Sequence, residues 1–257
     1  MPAPQGVAFK PRKRFGIFPA PSSATVPAGR RVYAVGDVHG CRELLVRLLD
    51  KILAEAASVR GKTDVVFLGD YIDRGPQSRA VIELLLGLPK TIDAHFLRGN
   101  HEQALLDFLD RPLTYREWEH FGADATLASY GVERPRSRAL PDLTVTRDRL
   151  AQAMPATHKR FLLSSQHSIS IGDYVFVHAG IRPGVPLSEQ THRDLLWIRD
   201  EFLDSDDDHG KVVVHGHTPL AEPVCRQNRI GVDTGAYSTG KLTALVLEGR
   251  KRRFLRS

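Results

Sequence analysis

From Arg31 onward, short apolar runs alternate with longer segments whose apolar residues recur at helical spacing. Val32–Val35 is one such run. Leu44, Leu45, Leu48, Leu49, Ile52 and Leu53 then mark one face of a helix over Glu43–Ala57. Asp64–Leu68 predicts a second strand, Ser78–Leu86 a second helix and Ile92–Leu97 a third strand. This alternation predicts βα units with parallel pairing. Residues 102–165 read as mainly helical, broken by Gly122, Gly131 and a Pro/Arg-rich loop at 134–141. The pattern then turns to strands at Ser168–Ile171, Tyr174–Val177, Val212–Val214, Val224–Arg226, Arg229–Val232 and Leu242–Leu247, with Gly172-Asp173 and Gln227-Asn228 as hairpin turns. The expected fold class is α/β: a four-layer α/β/β/α sandwich of two mixed sheets, with a helical, cap-like insertion at 103–165 over the cleft.

Composition adds a size and a charge distribution. The 257 residues are 42% hydrophobic, enough for one large core. No internal linker is visible, so a single domain is expected at 30–249. Residues 1–29 hold six prolines and few large apolar residues beyond Phe9, Phe15, Ile17 and Phe18, which predicts a flexible basic arm. Residues 250–257 are expected to be a basic tail. The net charge of +6 resides in these ends: 1–31 carry six Lys/Arg and 250–257 carry five, with no acid in either segment. The remainder holds 25 basic and 30 acidic residues. Solvated tails are the expectation, and a nucleic-acid-binding module using those tails is the alternative from another class. Cys41 and Cys225 make neither a disulfide framework nor a zinc site. With no apolar leader and no run of membrane-spanning length, a cytoplasmic protein is expected.

The chemistry lies where the strands end. Val32–Val35 runs into Gly36-Asp37-Val38-His39-Gly40, and Val65–Leu68 into Gly69-Asp70-Tyr71-Ile72-Asp73-Arg74-Gly75. Ala94–Arg98 leads to Gly99-Asn100-His101-Glu102, Val175–Val177 to His178-Ala179-Gly180, and Val212–Val214 to His215-Gly216-His217-Thr218. Ligands of α/β sheets bind at the carboxyl ends of strands, and glycine lets backbone and ion approach closely. Carboxylate, amide and imidazole donors suit hard or borderline divalent ions such as Mn, Fe or Zn.

These five segments, in this order over residues 31–248, resemble the calcineurin-like metallophosphoesterases, and specifically the compact bacterial and phage form of the phosphoprotein phosphatase branch. The resemblance implies two divalent metal ions, manganese foremost. Asp37 and His39 would bind the first ion, Asp70 would bridge both, and Asn100, His178 and His217 would complete the second site. A hydroxide bridging the metals would attack the phosphorus of a phosphomonoester. His101 would be the general acid, oriented by Asp73, and Arg74, Arg98 and Arg199 would hold phosphoryl oxygens. His215 reads as a structural neighbour of His217. Asp233 reads equally as a turn residue or as an orienting carboxylate. Tyr237 is a pocket residue by position, and Cys41 has no assigned role. Glu102 and the segment Leu195–Arg199 favour a phosphorylated protein as substrate, with phosphoserine or phosphothreonine foremost and phosphotyrosine as a variant. A dinucleoside polyphosphate such as diadenosine tetraphosphate is the alternative.

Overall fold

The computed structural model describes residues 23–58 and 61–257. In chain order, β1 (Arg30–Val35), α1 (Arg42–Ala57), β2 (Lys62–Phe67), α2 (Ser78–Leu86) and β3 (Asp93–Phe96) form two βα units. The helical insertion follows as α3 (Asn100–Asp110), α4 (Tyr115–Trp118), α5 (Ala123–Ser129), α6 (Leu140–Ala153) and α7 (Ala156–Ser164). Then come β4 (Ser168–Ile171), β5 (Tyr174–Val177), α8 (His192–Trp197), α9 (Asp200–Leu203), β6 (Val212–His215), β7 (Val224–Cys225), β8 (Arg229–Gly231), α10 (Ala236–Thr239), β9 (Thr243–Glu248) and β10 (Lys251–Arg256).

One five-stranded sheet has the order β10-β9-β1-β2-β3 and the other β4-β5-β6-β8-β7. Each mixes parallel and antiparallel pairs. Strand alternation sorts the side chains into layers. Val32 and Ala34 of β1 join Val66, Phe176, Val214 and Ile230 between the two sheets. Tyr33 and Val35 turn the other way, onto Leu45, Leu48 and Ile52 of α1 and onto the insertion helices. Val175 and Val213 cover the outer face of the second sheet with Leu195, Ile198 and Phe202. The expected four-layer sandwich results. Register decides where the chemistry falls: Val35 pairs with Phe67, and Phe67 with Phe96, so β1, β2 and β3 stop side by side and deliver their loops to one edge. No helix among the described residues is long and apolar enough to cross a membrane.

The two basic ends differ from the sequence expectation. Lys251–Arg256 is not a solvated tail but an edge strand, paired antiparallel with β9 from Lys251↔Glu248 to Arg256↔Thr243. Arg253 pairs with Glu55 and Arg256 with Glu222, Arg252 donates to the Tyr174 hydroxyl, and Phe254 and Leu255 pack against the cores. Charged side chains on an edge strand also discourage pairing with a second chain. Residues 1–22, the greater part of the expected arm, lie outside the described residues. The part that is described is docked. Ala24 and Val26 are buried between the sheets, the Thr25 N–H donates to the Asp173 carboxylate while its carbonyl accepts the Asp173 N–H, and the Val26 N–H donates to the Gly249 carbonyl.

Candidate metal centre

Five non-glycine residues among those described have left-handed backbones: His39 (φ 45°), Asp70 (52°), Asp73 (68°), Arg74 (65°) and His217 (64°). All five were singled out from the sequence as site residues. A left-handed backbone is costly for such side chains and persists only where surrounding structure imposes it, which is the pattern of functional sites. Glycine supplies the closest approaches. A Cβ on Gly69 would lie 2.6 Å from the Gly99 nitrogen, and one on Gly216 would overlap Asp37 Oδ1.

Asp70 stands at the centre. Its Oδ2 lies 3.5 Å from His39 Nε2 and 3.6 Å from His101 Nε2, and its Oδ1 lies 3.4 Å from His178 Nε2. Two groups able to hold an ion share this residue: His39, Asp70 and His101, and Asp70, His178 and His217. Asn100 Oδ1 completes the second, at 2.8 Å from His178 Nε2 and 2.9 Å from His217 Nδ1. Asp37 closes the cluster by accepting the His217 backbone N–H at 3.0 Å.

The donors fit a cation. His178 Nδ1 sits 2.9 Å from the Leu68 carbonyl, a contact that requires the proton on Nδ1 and leaves Nε2 bare. The bare nitrogen faces an amide oxygen, so lone pairs converge with no proton between them. His39 is fixed the same way, Nδ1 on the Ile72 carbonyl at 2.9 Å and Nε2 inward. Burial keeps these rings neutral: it drives His39 down to about 3 and lowers His178 and His217 as well. Burial, then the carboxylates of Asp233 and Asp70, push the Asp37 carboxyl well up, so its ionised form needs a neighbouring positive charge. Divalent ions provide that charge, and neutral imidazole, carboxylate and amide oxygen are their ordinary ligands.

Around the donors lies a supporting layer that the sequence only partly disclosed. Buried Glu102 accepts the backbone N–H groups of Asp70, Tyr71 and Gly99, each at 2.8 Å, and so fixes the loop that carries Asp70. His101 Nδ1 donates to Asp73 Oδ2 at 2.8 Å, and the insertion holds Asp73 in turn. Trp118 Nε1 donates to the same oxygen at 2.9 Å, and the Thr126 hydroxyl donates to Oδ1. Burial opposes protonation of His101, but Asp70 and Asp73 outweigh it and hold its pKa above the ordinary value.

The arginines part company. The Arg74 guanidinium stands 3.4 Å from His101 Nε2 and lies over the Tyr237 ring at 4.6 Å. Arg199 donates to the Thr218 hydroxyl at 3.1 Å and reaches the His217 carbonyl at 3.4 Å. Arg98 is engaged within the insertion: its guanidinium donates to Ser165 Oγ, Gln103 Oε1 and the carbonyls of Leu162 and Leu163. His215 packs on Phe202 with Nδ1 against the Gly216 carbonyl. Asp233 accepts the Gly235 N–H in a turn, and the Cys41 thiol donates to the His39 carbonyl.

A four-layer sandwich with carboxylate, amide and imidazole donors gathered at its strand ends, two arginines beside them, defines a metal-dependent phosphoesterase able to hold two ions. The calcineurin-like phosphoesterase model matches residues 30–244, and the chain belongs to that family. A bis(5'-nucleosyl)-tetraphosphatase (asymmetrical) of Halalkalibacterium halodurans is 27% identical over 231 residues, covering 82% of this chain and 87% of that one. Two solved structures share the fold. One, provisionally named a diadenosine tetraphosphatase, has a TM-score of 0.60 at 23% identity, covering 91% of this chain and 98% of its own. The other, a cold-active protein tyrosine phosphatase of a Shewanella species, has a TM-score of 0.55 at 19% identity, covering 90% and 83%.

The crowding at Gly216 gives a direct test of the donor arrangement. Gly216→Ala drives a methyl into Asp37 Oδ1. We expect metal affinity to fall by roughly 10–100-fold, the usual result of disturbing a ligand's support. Elemental analysis after dialysis reads the loss, and circular dichroism should show the fold retained.

Proposed function

We propose that the chain hydrolyses dinucleoside tetraphosphates, such as diadenosine tetraphosphate, at a centre of two divalent ions, manganese foremost. The observation that carries the substrate reading is the likeness, over most of both chains, to a bis(5'-nucleosyl)-tetraphosphatase. This reading replaces the phosphoprotein preference drawn from Glu102 and Leu195–Arg199. The Glu102 carboxylate is engaged by three backbone amides, a duty that serves any substrate equally.

Asp37, His39, Asp70, Asn100, His178 and His217 hold the ions. When bound, the ions supply positive charge for phosphoryl oxygens and make hydroxide available from water at neutral pH. Arg74 and Arg199 grip the phosphoryl oxygens, where planar guanidinium groups match the charge that builds in the transition state. His101, held by Asp73, gives a proton from Nε2 to the departing oxygen.

Arg74→Ala and Arg199→Ala should each keep their metal and lower kcat/KM on the order of 10²-fold, with weaker inhibition by vanadate. Unchanged vanadate affinity in both variants contradicts the clamp. The substrate reading is tested by comparing kcat/KM of the metal-loaded chain on diadenosine tetraphosphate with that on phosphoserine, phosphothreonine and phosphotyrosine peptides. The dinucleotide should win by at least about 10-fold, a margin of 1.4 kcal/mol in transition-state binding. A preference for any of the peptides overturns the reading.

A further inference from the structure

Among the described residues seven large hydrophobics are exposed, and only Trp197 and Tyr237 of these are aromatic. Both touch histidines of the candidate metal centre: Trp197 lies 6.4 Å from the His217 ring and Tyr237 lies 5.4 Å from the His39 ring, both edge-on. They differ in what they offer. The Tyr237 ring already carries the Arg74 guanidinium. Trp197 instead meets Phe121, a half-buried residue of the insertion, at 5.5 Å and 46°, and Phe121 meets His101 at 5.4 Å. Phe121, Trp197 and the two histidines therefore make a continuous aromatic wall from the proton donor outward. Trp197 also lines a cleft of about 640 Å³ with Arg193, Arg199 and Thr191. That volume lies in the range of small-molecule sites. Of its three arginines, Arg182 is paired with Asp194 and Glu201, and Arg193 and Arg199 suit phosphate oxygens.

We propose that Trp197 and Phe121 form the shelf on which the nucleobase of the leaving nucleotide stacks. This rests on the dinucleoside tetraphosphate reading above. Every nucleobase has a π-face, and stacking on an exposed aromatic binds it without demanding a particular base. The shelf abuts His101, so the base it holds belongs to the fragment that takes the proton. With the base so close to the proton donor, its ribose and one phosphate span the gap, and the second phosphorus lies at the metals. The oxygen of one water then bonds to the β-phosphorus. The bond from that phosphorus to the α-phosphate oxygen breaks with its electron pair, and that oxygen takes the His101 proton. The proton lost by water passes to solvent, from which His101 recovers its own. A nucleoside monophosphate leaves, and a nucleoside triphosphate keeps the oxygen from water.

The test uses the full-length, manganese-loaded chain. For Trp197→Ala, the KM for diadenosine tetraphosphate should rise roughly 10-fold or more relative to the KM for inorganic tripolyphosphate, which has no ring to stack. Phe121→Ala should move the same ratio in the same direction. Trp118 is fully buried, so Trp197 is the tryptophan a nucleotide can reach. Adenosine monophosphate should quench the fluorescence of the unaltered chain and not of Trp197→Phe. Turnover in oxygen-18-labelled water should place the label in the triphosphate. An unchanged KM ratio in Trp197→Ala, equal quenching in both chains, or label in the monophosphate overturns the proposal while leaving the substrate reading intact. Failure of the unaltered chain to cleave diadenosine tetraphosphate overturns both.

Discussion

Asp70→Asn should strip metal from both halves of the centre and lower hydrolysis by at least about 10³-fold. Loss of a single transition-state donor already costs roughly 10²–10³-fold, and this change removes more than one contact. Oδ2 faces His39 and Oδ1 faces His178, so the carboxylate serves two groups of donors at once. An asparagine is neutral and presents an NH₂ at one end, which cannot coordinate an ion. The loop itself should survive, because Glu102 grips its backbone amides and not the Asp70 side chain. Circular dichroism should therefore match the unaltered chain while elemental analysis shows the metal gone. Retention of two ions per chain in this variant means that Asp70 is not their bridge.

His101→Asn should keep its metal and lose rate according to the leaving group. A serine alkoxide needs a proton to depart, so the loss on a phosphoserine peptide should lie in the range of about 10²–10⁴-fold. Tyrosine, with a pKa of about 10, should suffer less, and p-nitrophenyl phosphate less again. A departing phosphate, whose second pKa is about 6, should also show a small loss, which places diadenosine tetraphosphate at the mild end. Asp73→Asn should follow the same order more gently, since it turns the imidazole without removing it. Trp118→Phe should do so as well, because Trp118 Nε1 donates to the Asp73 oxygen that receives the His101 proton. Single-turnover rates isolate the chemical step for the comparison. An equal loss on every substrate means that His101 positions the phosphate and does not protonate the leaving oxygen.

The donors were legible because each follows a strand in sequence, and parallel strands of matched register bring their carboxyl ends together whatever lies between. The sandwich was legible for a related reason: the switch from helical spacing to short alternating runs marks where the second sheet begins. The support of Asp73 was not legible. Trp118 and Thr126 lie 45 and 53 residues away, and nothing local marks them as partners. The partners of Arg98 were not legible either, because a motif fixes a residue type beside a loop and leaves the direction of a long side chain to packing. The run Lys251–Arg256 hid a strand because composition outweighed pattern. Arg253 and Arg256 are ion-paired, Arg252 bonds to the Tyr174 hydroxyl, and Phe254 and Leu255 are the only apolar signal in the segment. The aromatic shelf escaped notice because Phe121 and Trp197 come from different layers and meet only at the mouth of the centre.

A phosphoesterase centre that needs two ions to cleave a dinucleoside tetraphosphate should gain its metal and its activity together. The most direct measurement is a titration of chelator-treated, metal-free chain with manganese, following bound metal and cleavage of diadenosine tetraphosphate in the same samples. Cleavage should be absent without metal, rise with occupancy and level off only when two ions are bound per chain. Full cleavage by the metal-free chain, or a plateau reached at one ion, would contradict the claim.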